Sequence, residues 1–284
     1  MTCNMTSPRD ALQVGMEALV CAAMLNNGGA HCLANGDFQN AYQSFKNALD
    51  MASQAELALL LQNPIATPIV GGQAHPQYTQ QHCSTHRHGI QSSKQLQNYV
   101  TSTQETEGVL KESPLGQCAP PHATTPSPSA SRAPSPFKNS TFFLYNEPFV
   151  FYSPDAAQGF TAERVALHKS QILFNLALVH HLAGGCVDDN SVFNALKLYD
   201  LCLENTIALA ATQEGLAITI VALNNKAHIF HEFCEFRSLQ VVQETIYAAL
   251  VFLPKGVQVM DNSMLQGILF NVYMLRNLNC ARAA

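Results

Sequence analysis

Apolar residues recur every three or four positions along two long stretches of the chain, which is the spacing of helices with one buried face. The first stretch covers residues 8–62 and is interrupted at Asn35-Gly36-Asp37, a sequence that predicts a turn. No convincing alternation of apolar and polar residues suggests a strand-based core, so the pattern predicts an all-α fold. The second stretch predicts five helices, over residues 160–183, 191–212, 215–233, 236–253 and 262–281.

Glycines mark two places in this pattern. Gly28 and Gly29 lie inside the first predicted helix, where each costs about 1 kcal/mol relative to alanine, so a neighbouring element should need the missing side chain. Gly184-Gly185 predicts the end of the 160–183 helix. The buried stripe of the first helix is predicted at Leu12, Met16, Leu19 and Ala23.

The chain changes character between the two helical stretches. Residues 63–140 are rich in Pro, Ser, Thr and His. A segment of this composition buries too little apolar surface to offset the conformational entropy that it would lose on becoming ordered. Residues 141–153, TFFLYNEPFVFYS, are dense in Phe and Tyr and predict a small hairpin or an extended strand that docks on the helices. We therefore divide the chain into an N-terminal helical hairpin (1–62), a disordered insertion (63–140), and an aromatic extended segment followed by C-terminal helices (141–284).

Composition narrows the class of protein. Hydrophobic residues make up 47% of the chain and charged residues 12%, so a packed core is expected. The net charge is −5 and no basic stripe is visible, which argues against nucleic-acid binding. Nine scattered cysteines without a C-x-x-C pair indicate buried thiols in a reducing compartment. No apolar run is long enough to span a bilayer, so we expect a soluble, cytoplasmic protein without membrane contact.

Several stretches resemble one another, and self-similarity of this kind indicates a helical repeat. MLNNGGAHCLANGDFQNAYQSFKNAL, ILFNLALVHHLAG, ALNNKAHIFHEFCEF and ILFNVYMLRNL each place Asn near a later His, Cys or aromatic residue. The first unit resembles the tetratricopeptide repeat (TPR) family, with small residues at Gly29, Ala41 and Ala48 and an aromatic residue at Phe45. The resemblance implies a TPR-like α-α superhelix of antiparallel hairpins, in which residues 8–62 stack on the helices after 160.

In this family the functional surface is a concave groove, so the resemblance implies a non-enzymatic scaffold that binds a protein or peptide partner without a cofactor. Side-chain amides supply both a donor and an acceptor to a peptide backbone. An alternative is that the asparagines predicted to line this groove bond to neighbouring repeats and only position the helices. A further hypothesis is that segment 142–152 occupies part of this groove. The candidate groove residues are Asn27, Phe174, Asn175, His181, Asn225, His228, His231, Phe270 and Asn271.

Other candidate chemistry is sparse. No nucleophile-elbow, P-loop, zincin or dinucleotide motif occurs, so catalysis has no support in the sequence. The groove positions that carry Lys or Arg in carboxylate-binding relatives of the family hold Gln171, Phe174, Val221 and Asn224, which argues against a carboxylate clamp. The alternative function is a metal-responsive protein that uses ligand-type residues of the insertion. These residues are His82, Cys83, His86 and His88.

Overall fold

Seven α-helices and one short 3-10 helix (Ile207–Leu209) make up the regular structure of the described part of the chain. The structure is a computed structural model, and it describes residues 8–62, 142–151, 159–187, 189–209, 212–251 and 260–283. No strand occurs in these ranges, so the all-α prediction is confirmed for them. The helices are α1 (Pro8–Ala34), α2 (Phe38–Gln62), α3 (Ala162–Val187), α4 (Asp189–Thr206), α5 (Gln213–Glu232), α6 (Phe236–Val251) and α7 (Asn262–Ala283).

Helices α1 and α2 form an antiparallel hairpin that turns at the predicted place. Gly36 has a φ of 77°, a left-handed conformation that glycine adopts without steric cost. Asp37 then caps α2, because its carboxylate accepts a hydrogen bond of 3.2 Å from the backbone N–H of Asn40. Gly29 faces Phe45 near the turn and Gly15 faces Ala58 farther along, so the two helices run in opposite directions.

The face that α1 buries differs from the predicted stripe. Leu19 and Ala23 are buried as expected, but Leu12 is 39% exposed and Met16 is 42% exposed. Small residues take their place, because close approach of two helix backbones leaves little room for long side chains. The buried small residues of α1 are Ala11, Gly15, Ala18, Ala22, Ala23, Gly29 and Ala30.

The two adjacent glycines of α1, Gly28 and Gly29, have different surroundings, although nothing in the sequence separates them. A Cβ at Gly29 would lie 2.7 Å from the ring of Phe45, which is fully buried, so this position needs glycine. Nothing lies within 4 Å of a Cβ at Gly28. The expectation that a neighbouring element requires both glycines is therefore wrong for Gly28.

We expect Gly28→Ala to raise the free energy of unfolding by about 1 kcal/mol, because alanine has the higher helix propensity and meets no neighbour. Gly29→Ala is the matched control, and overpacking against Phe45 should lower the free energy by about 1–3 kcal/mol. Urea denaturation of the two variants provides the measurement. Two changes of the same sign would contradict the assigned packing.

Helix α3 continues past the predicted break at Gly184-Gly185 and ends at Val187. The reason is packing against α4. A Cβ at Gly184 would lie 2.7 Å from a methyl group of Val192, so this glycine lets the two helices approach closely. The C-terminal end of α4 also differs from the prediction. This helix ends at Thr206 rather than at residue 212, and the 3-10 helix Ile207–Leu209 follows it.

Each helix packs on the next helix along the chain. Contacts at two levels show that successive helices from α1 to α5 are antiparallel. The odd-numbered helices α1, α3, α5 and α7 lie side by side. Asn26 of α1 bonds Asn175 of α3, and Asn224 of α5 bonds Asn271 of α7. The row of odd-numbered helices therefore presents one continuous set of side chains.

The N-terminal hairpin packs on the helices that follow the insertion, as the sequence predicted. Lys169 of α3 donates a hydrogen bond of 2.7 Å to the carboxylate of Glu56 on α2. Farther along the same two helices, the rings of Tyr42 and His180 meet edge to face at 5.4 Å. All of the described residues belong to one compact unit. Within this part of the chain, none of the helices combines the length and apolarity needed to cross a membrane.

Candidate functional site

Residues 142–151, which we call the aromatic segment, lie extended across the odd-numbered helices without pairing to a strand. Four asparagines accept hydrogen bonds from its backbone N–H groups, and we call their surface the asparagine face. The four are Asn27 of α1, Asn175 of α3, Asn225 of α5 and Asn271 of α7. All four were candidate groove residues from the sequence.

Each of these asparagines bonds both backbone groups of a single residue in the segment. Asn27 accepts from the N–H of Phe151 and donates to its carbonyl, both at 2.8 Å. Asn175 does the same with Phe149, again with both bonds at 2.8 Å. An amide side chain offers one acceptor oxygen and one donor nitrogen, so it replaces one rung of a β-ladder.

The same arrangement continues on α5 and α7. Asn225 accepts from the N–H of Tyr145 at 3.1 Å and donates to its carbonyl at 2.8 Å. Asn271 accepts from the N–H of Phe143 and donates to its carbonyl, both at 2.7 Å. Residues 143, 145, 149 and 151 are separated by even numbers, so in an extended chain their N–H and C=O groups point to the same edge.

Two further asparagines complete the asparagine face, and the candidate list did not include them. Asn26 donates to the carbonyl of Phe149 at 2.9 Å, and Asn224 donates to the carbonyl of Phe143 at 3.1 Å. We call the four asparagines described above the ladder asparagines. Asn26 also accepts a hydrogen bond from the ladder asparagine Asn175, and Asn224 accepts one from the ladder asparagine Asn271. The asparagines thus bond both the segment and each other, so bonds between neighbouring helices occur as the alternative interpretation expected, while the binding of a partner stays a prediction. The Asn-Asn doublets were the signal that would have identified them.

Aromatic contacts hold the side chains of the segment. The ring of Phe174 meets Phe149 at 5.1 Å and Tyr145 at 5.7 Å, both edge to face. Phe151 stacks on His168 with 4.1 Å between ring centroids and 10° between the planes. The sequence did not identify His168, because a single histidine in a helix carries no positional signal.

The far end of the segment rests on two histidines. Phe142 stacks on His231 at 5.1 Å and meets His228 edge to face at 5.9 Å. His181 lies behind them, with its ring nitrogens 3.3 Å from the hydroxyl of Tyr199 and 3.3 Å from Nδ1 of His228. His181 therefore supports the buried network, while His228 and His231 contact the segment.

Phe270 is exposed on α7, so its predicted contact with a partner stays a prediction. Phe270 is 48% exposed, whereas a Cβ at Gly267 would lie 2.5 Å from the ring of Phe143. Gly267 precedes Asn271 by four residues and shares its face of the helix, while Phe270 is turned by about 100°. The missing side chain of Gly267 makes room for Phe143.

Burial keeps three histidines near the asparagine face neutral, namely His168, His181 and His228. Desolvation, aided by the charge of Arg164, lowers the pKa of His168 to about 4. Desolvation also lowers the pKa of His228 to about 4, with the charge of Glu232 acting in the opposite direction. The pKa of His181 lies well below its ordinary value, because the ring is buried and faces His228. Near pH 7 each of these imidazole rings is uncharged, so it can pack against an aromatic ring or form a hydrogen bond with an uncharged group.

We expect the free energy of unfolding to fall as the pH falls from about 6.5 to 4. The unfolded chain takes up a proton near pH 6.5, whereas folded His168 resists protonation down to a pKa of about 4. At pH 5 this group alone should cost about 2 kcal/mol relative to pH 7.5. His168→Phe keeps a ring beside Phe151 but cannot be protonated, so its unfolding by urea should lose less stability at pH 5. Parallel pH curves for the variant and the wild type would contradict the assignment.

Some predictions fall outside the described residues. These are the disordered insertion 63–140 and its cluster of His82, Cys83, His86 and His88. The metal-responsive alternative therefore stays a prediction. Among the residues that the structure describes, no group of three or more His, Cys, Asp or Glu side chains is arranged to hold a metal ion.

Comparison with protein-family models, curated proteins and solved structures finds no match to this chain.

Proposed function

We propose that this chain is a TPR-like helical repeat protein that acts as a non-enzymatic protein-interaction scaffold. It holds a peptide partner against the asparagine face, which forms the concave groove of an α-α superhelix. The observation that carries the proposal is the set of four asparagines, each of which bonds both the N–H and the C=O of one residue in an extended chain. An extended peptide is the ligand whose backbone repeats this pair of groups.

The helix arrangement supports the superhelical part of the proposal. Successive helices from α1 to α5 are antiparallel, and the odd-numbered helices neighbour one another. Stacked helical hairpins of this kind bury a continuous core and leave one row of helices to line a surface. The N-terminal hairpin supplies Asn27 to this row, although residues 63–140 separate it in sequence from α3.

The spacing of the asparagines supports an extended peptide as the ligand, rather than a helix. The eight residue steps from Phe143 to Phe151 span at most about 26–29 Å when extended. Three steps between neighbouring helices cover about 24–30 Å. A helical peptide of the same number of residues would cover only about 12 Å and would already use its backbone hydrogen bonds internally.

The titratable side chains near the asparagine face are neutral and held by packing or hydrogen bonds, which supports a role in binding rather than in catalysis. His168 and His228 hold neutral rings against Phe151 and Phe142. The thiol of Cys202 donates to the carbonyl of Ser170, and burial raises its pKa far above the range of a reactive thiolate. Asn225 bonds the hydroxyl of Tyr199 at 3.0 Å, and burial raises the pKa of this phenol as well.

Selection from a displayed library of random linear peptides tests this function. The wild-type full chain, and a variant with a weakened aromatic segment (Phe149→Ala with Phe151→Ala), should enrich related sequences. Asn175→Ala in either background should abolish their binding. Enrichment from neither protein, or peptides that bind equally well to the Asn175→Ala variants, would contradict the proposal.

A further inference from the structure

We propose that the partner is an extended peptide of another protein whose aromatic residues have the spacing of Phe142, Tyr145, Phe149 and Phe151. It binds in one direction and displaces the aromatic segment, which is an internal ligand of the same face. This inference rests on the proposed function and specifies the chemistry of its ligand. The aromatic segment provides the template, because it already fills the asparagine face with a chain that matches it at every contact.

The direction of the ligand follows from the order of the hydrogen bonds. Phe143 bonds α7, Tyr145 bonds α5, Phe149 bonds α3 and Phe151 bonds α1. The N-terminal end of a ligand therefore lies on α7 and its C-terminal end lies on α1. A chain that ran in the opposite direction would place the aromatic side chains at other positions along the face.

The ring contacts define the required side chains. The first position stacks on His231, and the last stacks on His168 with the two planes nearly parallel. The two middle rings both meet Phe174 edge to face. Flat rings satisfy these geometries, and aromatic pairs add about 0.5–1.5 kcal/mol each beyond the area they bury.

The centre of the ligand is less restricted. Asn146 and Glu147 are exposed, and Pro148 has no N–H to donate. No ladder asparagine bonds residues 146–148, in keeping with the four-residue step between Tyr145 and Phe149. The face therefore tolerates polar residues and proline at these three positions of a partner.

A partner peptide can replace the aromatic segment because of the kind of hydrogen bonds that the ladder asparagines make. The ladder bonds join side-chain amides of the helices to backbone groups of the segment, which every non-proline residue possesses. A competing peptide can thus form the same set of bonds without any change in the helices. The tethered segment lowers the apparent affinity of such a peptide in proportion to the fraction of time the face is occupied.

Fluorescence anisotropy with a labelled synthetic peptide of residues 141–153 tests the inference. The full chain carrying Phe149→Ala with Phe151→Ala should bind this peptide at least about tenfold more tightly than the wild type, because its own segment competes less. Val150→Ala is the matched control, since Val150 lies between these two rings with an exposed side chain, and it should leave the affinity unchanged. Asn175→Ala added to the weakened variant should abolish binding.

A second peptide tests the spacing: it has the same composition, but Leu144 is exchanged with Tyr145 and Phe149 is exchanged with Val150. It should bind at least about tenfold less tightly to the weakened variant. Circular dichroism must show that this variant keeps its helical content. Equal binding of the native and exchanged peptides, or no binding of the native peptide to the folded variant, would overturn the inference. Asparagine-dependent binders from the random library that lack the aromatic spacing would overturn it too, while leaving the proposed function intact. If the library also yields no binder, the proposed function itself fails.

Discussion

Glu56→Ala is expected to lower the free energy of unfolding by about 3–5 kcal/mol. The carboxylate of Glu56 is the ion-pair partner of Lys169, whose side chain is only 2% exposed. Removal of Glu56 leaves a buried ammonium group without its counter-charge, and the cost of burying a charge then goes uncompensated. Because the pair joins α2 to α3, this loss also weakens the attachment of the N-terminal hairpin to the rest of the helices. Urea denaturation followed by circular dichroism measures the change.

Asp200→Ala provides the matched control for this prediction. Asp200 pairs with Lys226 between α4 and α5, but its side chain is 55% exposed, so its loss should cost at most about 1 kcal/mol. The double variant Glu56→Leu with Lys169→Met removes both charges, and it should recover most of the stability lost by Glu56→Ala. Equal losses for Glu56→Ala and Asp200→Ala would show that the Lys169 pair does not behave as a buried charge.

Asn225→Ala is expected to cost about 2–4 kcal/mol, the second-largest effect. The substitution leaves the N–H and C=O of buried Tyr145 without their partner, and each unsatisfied buried group costs about 1–3 kcal/mol. The hydroxyl of Tyr199 loses a hydrogen bond at the same time. The loss should appear both in urea denaturation and as faster amide hydrogen exchange at Tyr145.

Asn205→Ala is the control for the asparagine ladder. Asn205 donates only to the carbonyl of Leu201 in its own helix, so its removal should cost about 1 kcal/mol or less and leave hydrogen exchange at Tyr145 unchanged. A loss for Asn225→Ala no larger than that for Asn205→Ala would contradict the ladder as an energetic unit. Unchanged exchange at Tyr145 in Asn225→Ala would contradict the assigned hydrogen bonds.

The asparagine face joins stability to the proposed function. Asn175 bonds Asn26 as well as Phe149, and Asn271 bonds Asn224 as well as Phe143. The bonds between asparagines hold neighbouring odd-numbered helices in register, and the bonds to the segment use the remaining donor and acceptor sites of the same amides. A preformed and spaced set of amides is what an extended ligand requires, because little entropy is then lost on binding.

The helices, most of their ends and the positions of the asparagines follow from local patterns in the amino-acid sequence. Helical periodicity is local, so residues 8–62 could be read as a hairpin with its turn at Gly36. Likewise, the similarity between repeats pointed to Asn27, Asn175, Asn225 and Asn271 as members of one set. Local signals failed where packing overrides propensity, as at Gly184, where close contact with Val192 suits glycine inside a helix.

The tertiary structure alone decided which residues meet across long distances in the chain. Asn27 and Phe151 are 124 positions apart, and Glu56 and Lys169 are 113 apart. No periodicity within either stretch encodes such a pair, because it exists only after the hairpin has packed on α3. The space at Gly267 for Phe143 and the stack of Phe151 on His168 arise in the same way. The sequence supplied the amides and the rings, and the packing of the helices brought them into contact.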